Sequence, residues 1–294
     1  MPSIPFTANQ LVENGLRAYQ QRLEKAFDAD CVAFAGPIIF GIDDAIRDAI
    51  EAIENRQKKL VFMLETQGGF AETARRISDT LRFHYQTVDF LVPSHAMSAG
   101  TILVMSGDAI YMDYYSILGP IDPQVESPGG GGMIPALGYL IRYEDLLKKA
   151  NAGNASTAEM EILLNFDQGR LYSYEQARDL ARSLLEEWLV KYKFKNWTET
   201  ETRRLPVTEP MKKERAKEIA DKLNDVGLWN SHGIGINMEL LRRDLNLKID
   251  DFGQEPKFNE AVRAYHRLLT DYMVKMGQSS AIHTRQGYTP LMVV

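Results

Sequence analysis

Before Gly107 the chain repeats one pattern: an apolar run, a turn of small residues, then a stretch with helical periodicity. The first apolar run is 31–40, CVAFAGPIIF, broken at Gly36-Pro37. A helix follows from Asp43, DDAIRDAIEAIENRQKK, whose acidic start and basic end suit the helix dipole. In the second unit LVFMLE (60–65) meets the turn TQGG and then FAETARRISDTLRFH, with Ala71, Ala74, Ile77 and Leu81 on one face. The third leads from 87–92 into VPSHAMSAGT and a helix expected over about 97–107, followed by the short strand AIYMD and a polar turn. Strands that are apolar throughout must be covered on both faces, and intervening helices supply that cover. The pattern predicts an α/β fold with a mainly parallel sheet and helices packed on it.

The flanks read as helical. Over 9–28, Leu11, Leu16, Tyr19, Leu23 and Phe27 recur at near-helical spacing on a polar background, an amphipathic arm set against the core or a partner. Helices are expected again over 134–149, 157–165, 174–192, 209–224, 238–245 and 256–275. The polar, proline-bearing 196–210 is a loop, and 277–294, GQSSAIHTRQGYTPLMVV, reads as a tail ordered only by contact with something else. SPGGGG at 127–132 is a hinge or lid loop. It lacks both the G-x-G-x-x-G spacing and the preceding strand of a dinucleotide site. The expected division is an N-terminal helical arm (1–29), a main domain (30–253) with a helical insertion (about 134–225), and a C-terminal helix and tail (254–294).

Charge and composition exclude several classes. With 34 basic against 40 acidic residues there is no positive excess to attract a phosphate backbone, so no nucleic acid partner is expected. No apolar run approaches the roughly 20 residues that span a bilayer, and the first residues lack a basic-then-apolar leader. A soluble, cytoplasmic protein is expected. Cys31, the sole cysteine, excludes an internal disulfide and belongs to core packing. Neither H-E-x-x-H nor a carboxylate-rich loop occurs, so no metal and no other cofactor is expected.

The chemistry concentrates in 92–119, VPSHAMSAGTILVMSGDAIYMDYYSILG. A serine hydroxyl attacks a carbonyl only when a base takes its proton and donors hold the oxyanion. Ser98 lies at a strand-to-helix turn, and Thr66–Gln67–Gly68–Gly69 is a second such turn, at the strand ends where α/β sheets place their sites. The N–H groups of Gly68 or Gly69 and of Ala99 suit an oxyanion hole. Small residues at such turns also serve close packing, and Ala96 breaks the G-x-S-x-G elbow pattern. His95 is too near Ser98 in the chain for triad geometry and reads as structural. His84, His266 and His283 read as structural or exposed, and Asp122 as a turn cap or the orienter of a base.

In its order of apolar strand, TQGG turn, helix, VPSHAMSAGT, DAIYMD and LGPIDPQ, the chain resembles the cytosolic branch of the signal peptide peptidase A peptidases, the serine dehydrogenase proteinase group. That group shares the Clp protease and crotonase fold, a spiral of strand-strand-helix units. The resemblance runs over about 31–124 and resumes over 215–247. It implies Ser98 as nucleophile, with Gly69 or Gly68 and Ala99 as oxyanion donors. The wider superfamily usually reads SPGG where this chain reads TQGG, and both glycines are kept. Clp-type enzymes carry a histidine where this chain has Ile121, Asp122 and Pro123, so a close copy of that triad is ruled out. Signal-peptide-peptidase-like enzymes use a later lysine, which falls here on Lys149 or Lys148. Such a base needs a pKa lowered towards neutrality, whereas a lysine pair at a helix end is also ordinary dipole pairing. His232, within the resumed stretch, is a further candidate as base or substrate contact.

The resemblance therefore implies a cytoplasmic serine endopeptidase with a Ser-Lys dyad, acting on peptides or unfolded protein and assembled as a homo-oligomer. The alternative is an oligomeric scaffold or binding protein of the same fold without an effective base. Crotonase-type thioester chemistry would need an acidic residue, and none is clearly placed for it.

Overall fold

A computed structural model describes residues 7–126, 133–200, 203–229 and 231–291. The glycine loop 127–132 lies outside the described residues. Helix α1 (Ala8–Phe27) begins at Thr7, whose side chain and that of Gln10 form a reciprocal capping box. There follow β1 (Asp30–Ala35), α2 (Ile42–Glu51), β2 (Lys59–Glu65), α3 (Ala71–His84) and β3 (Thr87–Leu91), with the three strands paired in parallel. The two-residue β4 (His95–Ala96) leaves this sheet and precedes α4 (Ala99–Val104). The chain returns to the large sheet as β5 (Ile110–Met112) beside β3, and leaves it again as β6 (Ile117–Leu118), parallel to β4. The passes through β3 and β5 each add a strand to the large sheet and a short strand to the small one, as in a spiral of strand-strand-helix units.

After the hairpin of β7 (Gln124–Glu126) and β8 (Met133–Pro135) come α5 (Ala136–Asn151), α6 (Thr157–Leu164) and α7 (Gln168–Trp188). Helix α7 runs into a π-helical turn over Leu189–Lys193. Then α8 (Glu209–Leu223) and α9 (Val226–Trp229) lead to β9 (Ile236–Asn237), antiparallel to β6 in the small sheet. Next are α10 (Met238–Arg243), β10 (Asp250–Asp251) on the outer edge of β5, α11 (Pro256–Lys275), and the hairpin β11 (Ala281–Thr284) and β12 (Gly287–Pro290). The large sheet has the order β10-β5-β3-β2-β1-β11-β12.

Alternation along the strands divides the core. Val32, Phe34, Leu60, Phe62, Leu64, Val88 and Phe90 pack with α2, α3, α4, α7 and α8, whereas Cys31, Ala33, Val61, Met63 and Leu91 meet α1 and α11 on the other face. Each fully buried phenylalanine contributes about 2–3 kcal/mol of transfer free energy. Burial also pushes the Cys31 thiol up, away from thiolate chemistry. Among the described residues no helix is long and apolar enough to cross a membrane.

Two expectations are corrected. The C-terminal stretch is not a tail awaiting a partner: β11 pairs antiparallel with β1, and all four of its residues are buried. Without it β1 would be an open edge with unsatisfied backbone groups. The polar-looking His283 is buried there because its Nδ1 meets the Tyr265 hydroxyl at 2.6 Å. Burial, with Arg17 nearby, lowers His283 to about 4, so the ring is neutral. The second correction concerns the helix expected over about 97–107, which starts only at Ala99 because Ser98 departs from helical geometry.

Candidate active site

Ser98 is the turning point between β4 and α4. Its φ of 50° and ψ of −116° lie outside the ordinary regions for an L-residue, a conformation that costs about 1–3 kcal/mol and must be held by its surroundings. They hold it tightly. Met97 N–H donates to Thr66 O at 2.9 Å on one side of the serine, and Gly100 N–H donates to Met97 O at 2.8 Å on the other. A Cβ on Gly100 would stand 2.3 Å from Thr66 Cγ2, so only glycine lets the new helix close on the Thr66 turn. The outcome is a sharp strand-to-helix elbow that leaves Ser98 partly accessible between buried Met97 and Ala99. Here Ala96 takes the place usually held by the first glycine of such an elbow.

The TQGG turn lies against this elbow. Gly68 has φ 104°, and a Cβ there would come within 2.8 Å of Ser98 Cβ and 3.3 Å of Ala99 N. Gly69 has φ 148°, and its missing Cβ would fall 2.1 Å from Ile38 O. The turn is pinned by Ile38 N–H donating to Gly68 O and Phe70 N–H to Ile38 O, both at 2.8 Å. Gly68 N–H is engaged by Thr66 Oγ1 at 3.0 Å. Among the described residues Gly69 N–H and Ala99 N–H donate to no protein acceptor. Both belong to turns in contact with Ser98, and uncovered amides of this kind can accept developing negative charge.

Ser98, Asp122 and His232 come from three neighbouring chains at one end of the small sheet. Ser98 follows β4, Asp122 follows the parallel β6, and His232 precedes the antiparallel β9. The pairing of Leu118 with Ile236, continued along the two chains, sets Asp122 opposite His232. His232 Nδ1 and Asp122 Oδ1 are 2.8 Å apart, with the aspartate almost fully buried and the imidazole partly exposed. A carboxylate at Nδ1 fixes the tautomer that leaves Nε2 as proton acceptor. The Ser98 hydroxyl itself makes no hydrogen bond among the described residues.

The two lysines lie on α5. Lys148 and Lys149 are both exposed on the last turn of α5. Lys149 Nζ lies 2.6 Å from Glu159 Oε1, and its ammonium, with Ser156, holds the Glu159 carboxyl down at about 2. Neither lysine hydrogen-bonds to Ser98. His95 has both ring nitrogens occupied, Nε2 by Gln67 at 2.9 Å and Nδ1 by the Ser94 hydroxyl at 3.0 Å. His266 is bonded to Glu65, and His84 stands 3.6 Å from Glu51. Among the described residues no group of three or more His, Cys, Asp or Glu could hold a metal ion.

Two supporting residues escaped the sequence reading. Thr66 both engages Gly68 N–H and walls off Gly100. Thr101 Oγ1 accepts Gly119 N–H at 2.9 Å and shares its single proton between the carbonyls of Ala96 and Gly119, clamping β4 to the end of β6. The signal was available for Thr101: it is a lone hydroxyl in the apolar helix AGTILV, where only an internal partner could compensate its burial.

A family model described as ClpP-like SDH-type serine proteinase matches residues 39–191. Two proteins of Methanocaldococcus jannaschii are similar to the chain. The uncharacterized protein MJ0137 is 28% identical over 154 residues, 47% of this chain and 49% of that protein. The uncharacterized protein MJ1495 is 25% identical over 221 residues, 75% of this chain and 59% of that protein. The chain thus spans roughly half the length of the first and three-fifths of the second. Solved structures that resemble it include two mutants of the 1510-N membrane-bound stomatin-specific protease, one of them with a substrate peptide. They are 12% and 14% identical, each with a TM-score of 0.43 over 75% of this chain and 76% and 72% of theirs.

Proposed function

The chain belongs to the family of ClpP-like SDH-type serine proteinases, whose model matches over half of it, and on that premise we propose that it is a serine endopeptidase with Ser98 as nucleophile. The observation that carries this reading is the strained Ser98 elbow in contact with two uncovered backbone donors. Ser98 Oγ attacks the carbonyl carbon of a peptide bond while a base takes its proton. Gly69 N–H and Ala99 N–H hold the tetrahedral oxyanion, with Gly68 held in place through Thr66. The base returns its proton to the leaving amine, and water then releases the acyl group by the same steps. Preorganised donors of this type are worth about 2.7–4 kcal/mol each in such reactions.

Resemblance assigns the base to a Ser-Lys dyad through Lys149 or Lys148, and for that role Lys149 would have to leave Glu159. Local geometry favours His232, which already has the orienting carboxylate that a histidine base needs. The open Ser98 hydroxyl is compatible with a base that closes on the serine only when substrate binds. It also favours the second reading, a scaffold of the same fold with no effective base.

Peptide or unfolded protein is the proposed substrate, in a cytoplasmic homo-oligomer. Assembly is supported by α6, which buries none of its side chains and leaves Ile162 and Leu164 exposed. Labelling by a fluorophosphonate probe, with Ser98→Ala as control and a peptide library as substrate, tests the peptidase. Ser98-dependent labelling with cleavage is expected, and neither signal would leave the scaffold reading. His232→Ala, Lys149→Ala and Lys148→Ala then assign the base by which of them abolishes turnover.

A further inference from the structure

At the end of the sheet remote from Ser98, where β3 and β5 begin, the fold forms an open-sided cavity of about 790 Å3. Its walls come from the residues before β5, the π-helical turn and the segment after it, α8, and the stretch from α10 into β10. The lining is rich in cations without carboxylate partners. Among the described residues Lys193, Arg242 and Lys248 make no ion pair; Arg242 donates only to the Ile249 carbonyl. Asp108, at the cavity floor, is already bonded by Arg82 and Lys195, which outweigh its burial and hold the carboxyl low. Asp250 is the other carboxylate of the lining. Three cations without carboxylate partners against one such acid make a positive cavity on a chain whose net charge is −6.

Local backbone geometry singles out the same place. The π-helical turn closes with Phe194 N–H donating to Leu189 O at 2.7 Å, which brings Tyr192 and Lys193 to the cavity. Tyr192 carries the Arg82 guanidinium 3.7 Å from its ring centroid. Such insertions weaken a helix and recur at functional sites. Trp197, partly buried, adds a flat aromatic wall. The volume suits a small organic ligand, and the cation set suits phosphoryl oxygens.

We propose that this cavity binds a phosphorylated small molecule, with Lys193, Arg242 and Lys248 on the phosphoryl oxygens and Trp197 beside the remainder of the ligand. The site is independent of the peptidase reading and lies at the other end of the strands from Ser98. Lys193 is held down to about 8, chiefly by burial and also by Lys248, against Asp250, Asp89 and Asp108, which favour its charge. Binding is therefore strongest below that value and weakens above it.

The test titrates the full chain with inorganic pyrophosphate and, separately, with ADP, read by calorimetry and by tryptophan fluorescence with Trp197→Phe as control. Saturable binding is expected, at least tenfold weaker in Lys193→Met and in Arg242→Gln, weakening as pH rises through 8, and unchanged in Ser98→Ala. Lys248→Met and Arg242→Gln, both at exposed positions, keep the test valid if the partly buried Lys193→Met fails to fold. Tighter binding of ADP than of pyrophosphate supports a nucleotide as the source of the phosphate, and equal binding supports a ligand recognised by its phosphates alone. Absence of saturable binding by both probes, or affinities unaffected by all three cation variants, overturns the proposal.

Discussion

The two ends of the parallel sheet are built from different materials. Around Ser98 the proposed working parts are backbone amides and small residues, and Gly68, Gly69 and Gly100 are packed so closely that an added methyl group would meet its nearest atom at 2.1–2.8 Å. At the other end they are long cationic side chains, Lys193, Arg242 and Lys248, around open space. A backbone site must be rigid, because its donors have no rotamers with which to adjust. A side-chain site can be assembled from distant segments, since each residue reaches the ligand on its own stem. The first end therefore tolerates almost no substitution, and the second should tolerate change one charge at a time.

Perturbing each end breaks or sharpens that contrast. The largest expected effect is from Ser98→Ala, which should cut peptide turnover by roughly 10⁴–10⁶-fold without changing pyrophosphate affinity; steady-state kinetics and calorimetry on one sample check both. His232→Gln should cost about 10⁴-fold in kcat, whereas Lys149→Ala should change kcat less than about twofold, the scale of an exposed ion pair. The reverse ranking would restore the Ser-Lys dyad. Gly69→Ala should lower kcat by about 10²–10³-fold and also lower Tm, because its methyl group would meet Ile38 O.

Smaller effects lie in pH dependence. His283 titrates at about 4 when folded and near its ordinary value of 6.5 when unfolded, so the unfolded chain binds more protons between them. Stability from this residue is complete above pH 6.5 and is lost towards pH 4, on the order of 3 kcal/mol. Denaturant unfolding across that range should show a steeper slope in the wild type than in His283→Gln. Lys193, more exposed than His283 and so more screened by solvent, gives the smallest expected signal: folded at about 8 and unfolded at 10.5, it makes stability rise with pH between those values. Lys193→Met should flatten that rise.

The legibility of these regions in the sequence follows their construction. The strands at 31–35, 60–65 and 87–91 were readable because apolar runs bounded by small residues have few other solutions. The Ser98 and Gly68-Gly69 turns were readable because a backbone site writes itself as contiguous small residues. The pairing of Asp122 with His232 was not, since it is set by the register of β6 against β9, two strands of two residues each. The C-terminal hairpin was also hidden: GQSSAIHTRQGYTP looks polar until Tyr265 and β1 supply partners for His283 and for the backbone.

Sequence by itself thus determined the α/β alternation, the family and the Ser98 elbow, because each rests on local periodicity or on backbone geometry that only small residues allow. Only the tertiary structure decided which amide of the glycine turn stays uncovered, which carboxylate meets His232, and which cations are left without carboxylate partners. Those are questions of neighbours distant in the chain, and hydrogen bonds and ion pairs are assigned only once folding brings their partners within reach.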